Sequence, residues 1–125
     1  MKPTLSIDKS IYIQIAEKIE NDILNNNLAE NEQVPSTNQF SQIFQINPAT
    51  AAKGINILVD EGILYKKRGI GMFVSEGAKE MILKKRQKIF FDQTIPEIIL
   101  ESERLEITRE ELLESIRNYN GGKDR

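Results

Sequence analysis

Residues 47–62, NPATAAKGINILVDEG, hold the side chains of this sequence best suited to meeting another molecule at close range. Ala49 and Thr50 are small, so a partner surface can come near the helix they open. Thr50 adds a hydroxyl for hydrogen bonding and a methyl for apolar contact, the pair of functions that reads a base edge. Asn47 and the N–H groups of a helical first turn suit an anionic oxygen, and Lys53 is the only cation of the stretch. Taken alone, an ordinary solvated helix front explains these residues better than a binding surface does.

Two neighbours shift that balance. The run PSTN places Ser36, Thr37 and Asn38 at a helix start, where hydroxyls and backbone N–H groups can hold a phosphate without formal charge. Ser36 is also a helix cap, and one hydroxyl serves two roles poorly, so Thr37 and Asn38 are the better phosphate ligands. Further on, KKRGIG sets Lys66, Lys67 and Arg68 beside Gly69 and Gly71, cations and glycines at the tip of a turn that can approach a groove. Each feature alone fits a solvated surface. Two phosphate-binding candidates flanking one small-residue helix favour double-stranded DNA as the partner.

The elements that must position these residues follow from periodicity and punctuation. A first helix is expected from Ser10, as N-cap, to about Asn26, with Ile11, Ile15, Ile19 and Ile23 on its buried face. LAENEQV reads as a polar loop. Ser36 and Gln39 form a capping box that opens a short helix through Phe44, with Phe40, Ile43 and Phe44 on one face. Asn47 caps a third helix with Pro48 at its first position, and Gly62 ends it. ILYKK and MFVS, joined by RGIG, form a hairpin. Three helices followed by a hairpin is the order of a winged helix-turn-helix. Helix resumes from Ala78 to about Leu105, where Pro96 must kink or interrupt it. Thr108 and Glu111 form a second capping box, opening a last helix through about Tyr119. The expected division is 1–76 for the winged domain, 77–120 for a helical segment and 121–125 for a frayed tail.

Composition narrows the function classes. The 125 residues contain neither Cys nor His, which removes disulfides, thiolate zinc sites and the commonest general base. No carboxylates converge beside a glycine loop, and RGIG is too short for a nucleotide-binding fingerprint. An enzyme is therefore not expected, nor any cofactor or metal. The N-terminus MKPTLSIDKS lacks a signal-peptide core, so a cytoplasmic protein without a membrane span is the simplest expectation. Net charge is −2, yet it is segregated. Residues 33–52 carry no charge, 63–75 carry three cations and no acid, and 97–114 carry seven Glu against Arg104 and Arg109. Such a chain can present one basic surface. Lys84, Lys85, Arg86 and Lys88 are equally placed to touch phosphates or to pair with the Glu-rich final helices.

From IYIQIAEKIENDIL through the wing GIGMFV, residues 10–75 resemble the DNA-binding domain of GntR-family transcriptional regulators. The resemblance lies in YIQI, the PS pair, the Thr near the front of the third helix, L-x-x-EG at its end and G-x-G-x-F-V. It implies a repressor whose recognition helix, 47–61, lies in the major groove with the wing, 63–75, on the flanking backbone or minor groove. The family commonly carries arginine where Asn38, Pro48 and Ala52 stand, so those contacts do not transfer, and fewer cations imply a shallower salt dependence. The remaining tail resembles the YtrA subgroup, which implies a dimerisation segment and a transporter operon as target. Its apolar positions Ile82, Ile89, Phe90, Ile98, Ile99, Leu112 and Ile116 exceed what an appendage needs, and a second protomer would cover them. A small-molecule effector would bind at the junction of wing and tail or in the dimer interface. The competing expectation is a winged protein-interaction module without specific DNA binding.

Overall fold

A computed structural model describes residues 10–121; all but the last residue of the N-terminal MKPTLSIDKS and all but the first of the expected frayed tail, 121–125, lie outside them. By its contacts the chain divides into two compact units, through Lys85 and from Arg86 onward.

The first unit begins with α1, Ile11–Leu24, and the isoleucines Ile15, Ile19 and Ile23 do form its buried stripe. Ile11 does not, being 41% exposed at the helix start. Ser10 occupies the N-cap position, yet its side chain makes no capping hydrogen bond. Asn26, past the helix end, takes the left-handed conformation with φ 63°, which asparagine tolerates better than most residues. The α2 helix, Thr37–Phe44, stacks Phe40 on Phe44 at 6.1 Å between ring centroids and turns both inward. Ile43 of the expected apolar face stays exposed. Gln45 caps α2 in left-handed geometry, and Ser41 Oγ donates to Ile46 O at 2.6 Å, fixing a tight turn into α3, Pro48–Asp60.

The α1 and α3 helices meet at Gly54. A Cβ there would lie 2.5 Å from Tyr12 O and 2.9 Å from Ile15 Cβ, so only glycine lets the two backbones come this close. Strands β1, Leu64–Lys67, and β2, Gly71–Val74, pair antiparallel from Leu64↔Val74 to Lys67↔Gly71. The expected polar loop before α2 is instead paired with β2. Asn31 N–H donates to Val74 O, Val74 N–H to Glu32 O and Val34 N–H to Met72 O, with a bridge between Gln33 and Phe73. Three residues of irregular polarity are too few to show strand periodicity, and the pairing becomes visible only once β2 supplies the partner groups.

Ala78 and Ile82 of α4, Ala78–Ile89, close the same core and are fully buried. Ile82 therefore leaves the set of expected dimer-interface residues, because its side chain is already covered within its own unit. Each such aliphatic side chain contributes about 1.5–3 kcal/mol by leaving water.

The second unit contains the end of α4, a π-helical turn at Phe90–Thr94, α5 at Ile95–Arg104 and α6 at Arg109–Arg117. The α-helix is interrupted just before Pro96, as expected, by the π-helical turn. Ile95 N–H reaches back five residues to Phe90 O, and this wider turn spreads the carbonyls that the proline ring would strike in an ordinary helix. Thr108 and Glu111 form the expected capping box: Thr108 N–H donates to Glu111 Oε1 at 2.9 Å and Glu111 N–H to Thr108 Oγ1 at 3.1 Å. The Thr108 backbone and hydroxyl hold the Glu111 carboxyl below the usual glutamate range. Little else in this unit is shielded. Ser102 is its only buried residue among those described, whereas Ile89, Phe90, Phe91, Ile98, Leu100, Leu113 and Ile116 are all exposed.

Candidate nucleic-acid interface

Every expected DNA-contacting residue lies in the first unit, on α2, α3 or the wing. At the front of α3, Asn47 Oδ1 accepts from Ala49 N–H at 2.7 Å, so its oxygen is spent on capping and its NH2 group is what it can offer a partner. Ala49 is exposed beside it and Thr50 is half-buried. Lys53 is exposed but not loose: its Nζ sits 4.1 Å from the centre of the Tyr12 ring on α1. Such a contact, worth about 0.5–1 kcal/mol at an exposed site, holds the ammonium against the protein rather than letting it sweep.

At the start of α2 the capping box is complete. Ser36 N–H donates to Gln39 Oε1 at 2.7 Å, and Gln39 N–H donates to Ser36 Oγ at 3.1 Å. Ser36 thus has both its amide and its hydroxyl oxygen engaged, which leaves Thr37 and exposed Asn38 as the groups at this helix start able to turn outward.

The wing is a short, braced ribbon. Ile70 N–H donates to Lys67 O at 2.9 Å, closing a four-residue turn in which Gly69 has φ 77°. With Arg68 at negative φ, this is the type II pattern, and a side chain at Gly69 would be strained. Lys66 and Arg68 are exposed, and Lys67 Nζ lies 4.7 Å from the Phe73 ring centre. Phe73 stacks in turn on Tyr65, whose hydroxyl donates to Asn31 Oδ1 at 2.8 Å. At Gly71 the missing Cβ makes room for Gln33, whose Nε2 donates to Ile70 O at 3.0 Å.

Two cations of the basic run on α4, Lys85 and Lys88, pair with nearby carboxylates. Lys85 Nζ bonds Glu20 Oε2 and, at 2.8 Å, Glu61 Oε1, joining α4 to α1 and to the end of α3. Burial opposes the Lys85 charge, but the hydrogen bonds and attraction of the two carboxylates outweigh it and raise its pKa above the ordinary lysine value. Glu20 is 1% exposed, so this bridge neutralises a carboxylate inside the fold. Lys88 pairs with Asp92 at 2.7 Å, one turn along. These partners belong to α1, α3 and the adjoining turn, not to the Glu-rich final helices.

Reading the sequence missed Tyr12, Gln33, Gly54 and Ile70. An apolar residue between two turn glycines was the available sign for Ile70; the other three depend on contacts between distant segments. Among the described residues no group of three or more His, Cys, Asp or Glu could hold a metal ion, and no helix is long and apolar enough to cross a membrane.

In the second unit, Thr94, Glu97, Ile98, Glu101, Ser102, Leu105, Ile107 and Leu112 line an open, mostly apolar hollow of about 360 Å³.

Residues 11–74 match the family described as "Bacterial regulatory proteins, gntR family". The repressor NagR of Bacillus subtilis is 36% identical over 73 residues, 58% of this chain but only 30% of NagR. The repressor YtrA of the same organism is 27% identical over 117 residues, 90% of this chain and 89% of YtrA. A GntR-family regulator from Bacteroides thetaiotaomicron superposes with a TM-score of 0.69 at 30% identity, covering 86% of this chain and 93% of that one. The AraR DNA-binding domain, solved with its operator ORX1, matches at a TM-score of 0.52 and 30% identity, over 60% of this chain and 92% of that one. With more than half its length inside the family's DNA-binding region and the winged helix-turn-helix in place, the chain belongs to the GntR family of bacterial transcriptional regulators.

Proposed function

We propose that the chain is a sequence-specific DNA-binding repressor that works as a dimer, with the front of α3 in the major groove and the wing on the flanking backbone and minor groove. The observation that carries this is the composition of one unit's surface. A small, uncharged helix front at Ala49 and Thr50 stands between an uncharged helix start at Thr37 and Asn38 and a basic ribbon at Lys66–Arg68. The AraR domain solved with its operator supports the DNA partner, and the repressor names of NagR and YtrA support the sign of regulation.

Dimerisation is supported by the second unit, whose exposed Ile89, Phe90, Ile98 and Ile116 would otherwise remain against water. Half-buried Ile99 and Leu112 join them, and the 360 Å³ hollow gives a partner helix or an effector a place to seat. A two-fold dimer puts two recognition helices on half-sites about 34–36 Å apart, or a multiple of that. The transporter operon implied by the YtrA resemblance is read from the genes beside the protected sites.

Fluorescence anisotropy against a duplex selected from a randomised pool, with random duplex of equal length as reference, tests the whole reading. The selected duplex is expected to bind at least a hundredfold tighter. Thr50→Ala should narrow that ratio, and Lys67→Ala should weaken both DNAs alike and lower the log–log salt slope by about 0.9. Equal affinity for both DNAs would leave a protein-interaction module as the better account. Ile98→Glu should convert a dimer to monomer in analytical ultracentrifugation, and a parent chain already monomeric at high micromolar concentration ends the dimer.

A further inference from the structure

The tip of the wing combines two features that its turn does not require. Ile70 is 64% exposed, a branched apolar side chain where turn chemistry favours Gly, Asn, Asp or Ser. Its backbone is also held from both sides, N–H to Lys67 O at 2.9 Å and C=O from Gln33 Nε2 at 3.0 Å. The second bond comes from the segment that leads into α2, across a gap that exists only because Gly71 has no Cβ. A solvent-exposed tip gains nothing evident from such bracing. A tip that must present one side chain at a fixed place does.

The side chains available there share one chemical property. Lys66, Lys67 and Arg68 only donate hydrogen bonds, Gly69 and Gly71 have no side chain, and Ile70 neither donates nor accepts. Gln33 further occupies the Ile70 carbonyl, and the Lys67 carbonyl is taken by the turn. The side chains of residues 66–71 are thus rich in donors and apolar surface and include no acceptor, the nearest side-chain acceptor being the amide oxygen of Gln33. In the minor groove, A·T pairs show only acceptors, whereas G·C pairs add the exocyclic amino group of guanine, a donor that stands up from the groove floor. Arg68 complements the first and not the second. Ile70 over a guanine would meet the amino group sterically, and its side chain, shielding that group from water, offers no acceptor in return, which is costly.

Resting on the DNA-binding reading above, we propose that the wing tip selects A·T pairs in the minor groove beside the major-groove site, with Ile70 as the specificity-determining side chain and Gln33 as the residue that positions it. Selection from a randomised pool should return an A·T pair at a fixed offset from the bases read by α3. Replacing that adenine by diaminopurine, which adds the amino group and leaves the major-groove hydrogen-bonding edge as it was, should weaken binding on the order of tenfold. Exchanging the pair for G·C should cost about as much, and inosine in place of that guanine should restore most of the affinity. Ile70→Asn supplies an acceptor and should bring the discrimination close to unity while Thr50-dependent selectivity persists. Gln33→Met should lose the same discrimination with unchanged thermal stability, and Gln33→Lys, which restores a donor, should recover it. If diaminopurine and Ile70→Asn change nothing on a duplex that Thr50→Ala still weakens, the minor-groove reader is refuted and the DNA-binding reading stands. If selection returns no consensus, both fall.

Discussion

The two units of this chain solve the same problem with opposite completeness. The first, through Lys85, seals Ile15, Ile19, Phe40, Ile55, Leu58, Leu64, Val74, Ala78 and Ile82 from water with its own residues. The second, from Arg86 onward, buries only Ser102 among its described residues and leaves Phe91 68% exposed. A helix hairpin of this length has too little chain to cover both of its faces. Helical order there comes first from capping and local hydrogen bonds.

The sharpest test of that contrast pairs two phenylalanines. Phe40→Ala should destabilise the first unit by about 3–5 kcal/mol, whereas Phe91→Ala should cost less than about 0.5 kcal/mol in dilute chain. Urea unfolding followed by circular dichroism at low protein concentration checks both. Comparable losses would mean that the second unit has a core of its own.

Lys85→Met is expected to cost about 2 kcal/mol, since it strips the buried Glu20 of a charge partner while Lys85 itself remains partly solvated. The pKa of Lys85 is raised in the fold, so its contribution is complete below the unfolded value near 10.5 and lost as pH rises through the higher folded value. The gap between parent and variant should therefore be constant near neutrality and close only in strong alkali. A gap that closed between pH 6 and 8 would assign the stabilisation to some other group.

Gly54→Ala should cost about 1–2 kcal/mol although alanine is the better helix former, because the added carbon must displace the Tyr12 carbonyl. A variant as stable as the parent would show that α1 and α3 part freely. The smallest effect belongs to Ser36→Ala, about 1 kcal/mol, from loss of one arm of the capping box. It should leave the salt slope of DNA binding intact if Thr37 and Asn38, rather than Ser36, face the phosphates.

Much of the fold was legible because its signals are local. Capping boxes at Ser36–Gln39 and Thr108–Glu111, Pro48 at a helix start and Gly62 at a helix end each act within one turn of chain, and all appear as expected. The expectations that changed concern partners far away in sequence. Gln33 was a loop residue until β2 lay beside it, and Ile82 an interface residue until the first core enclosed it.

The sequence by itself determined the order of the helices and hairpin, the absence of thiol and imidazole chemistry, and the uncharged front of α3, because these depend on residue type and near spacing. Only the tertiary structure decided where the cations are held: Lys53 rests on Tyr12, Lys67 on Phe73 and Lys85 between Glu20 and Glu61. The reason is geometric. A charge's partner is chosen by distance in space, and across loops of tens of residues that distance is fixed by the packed core rather than by the chain.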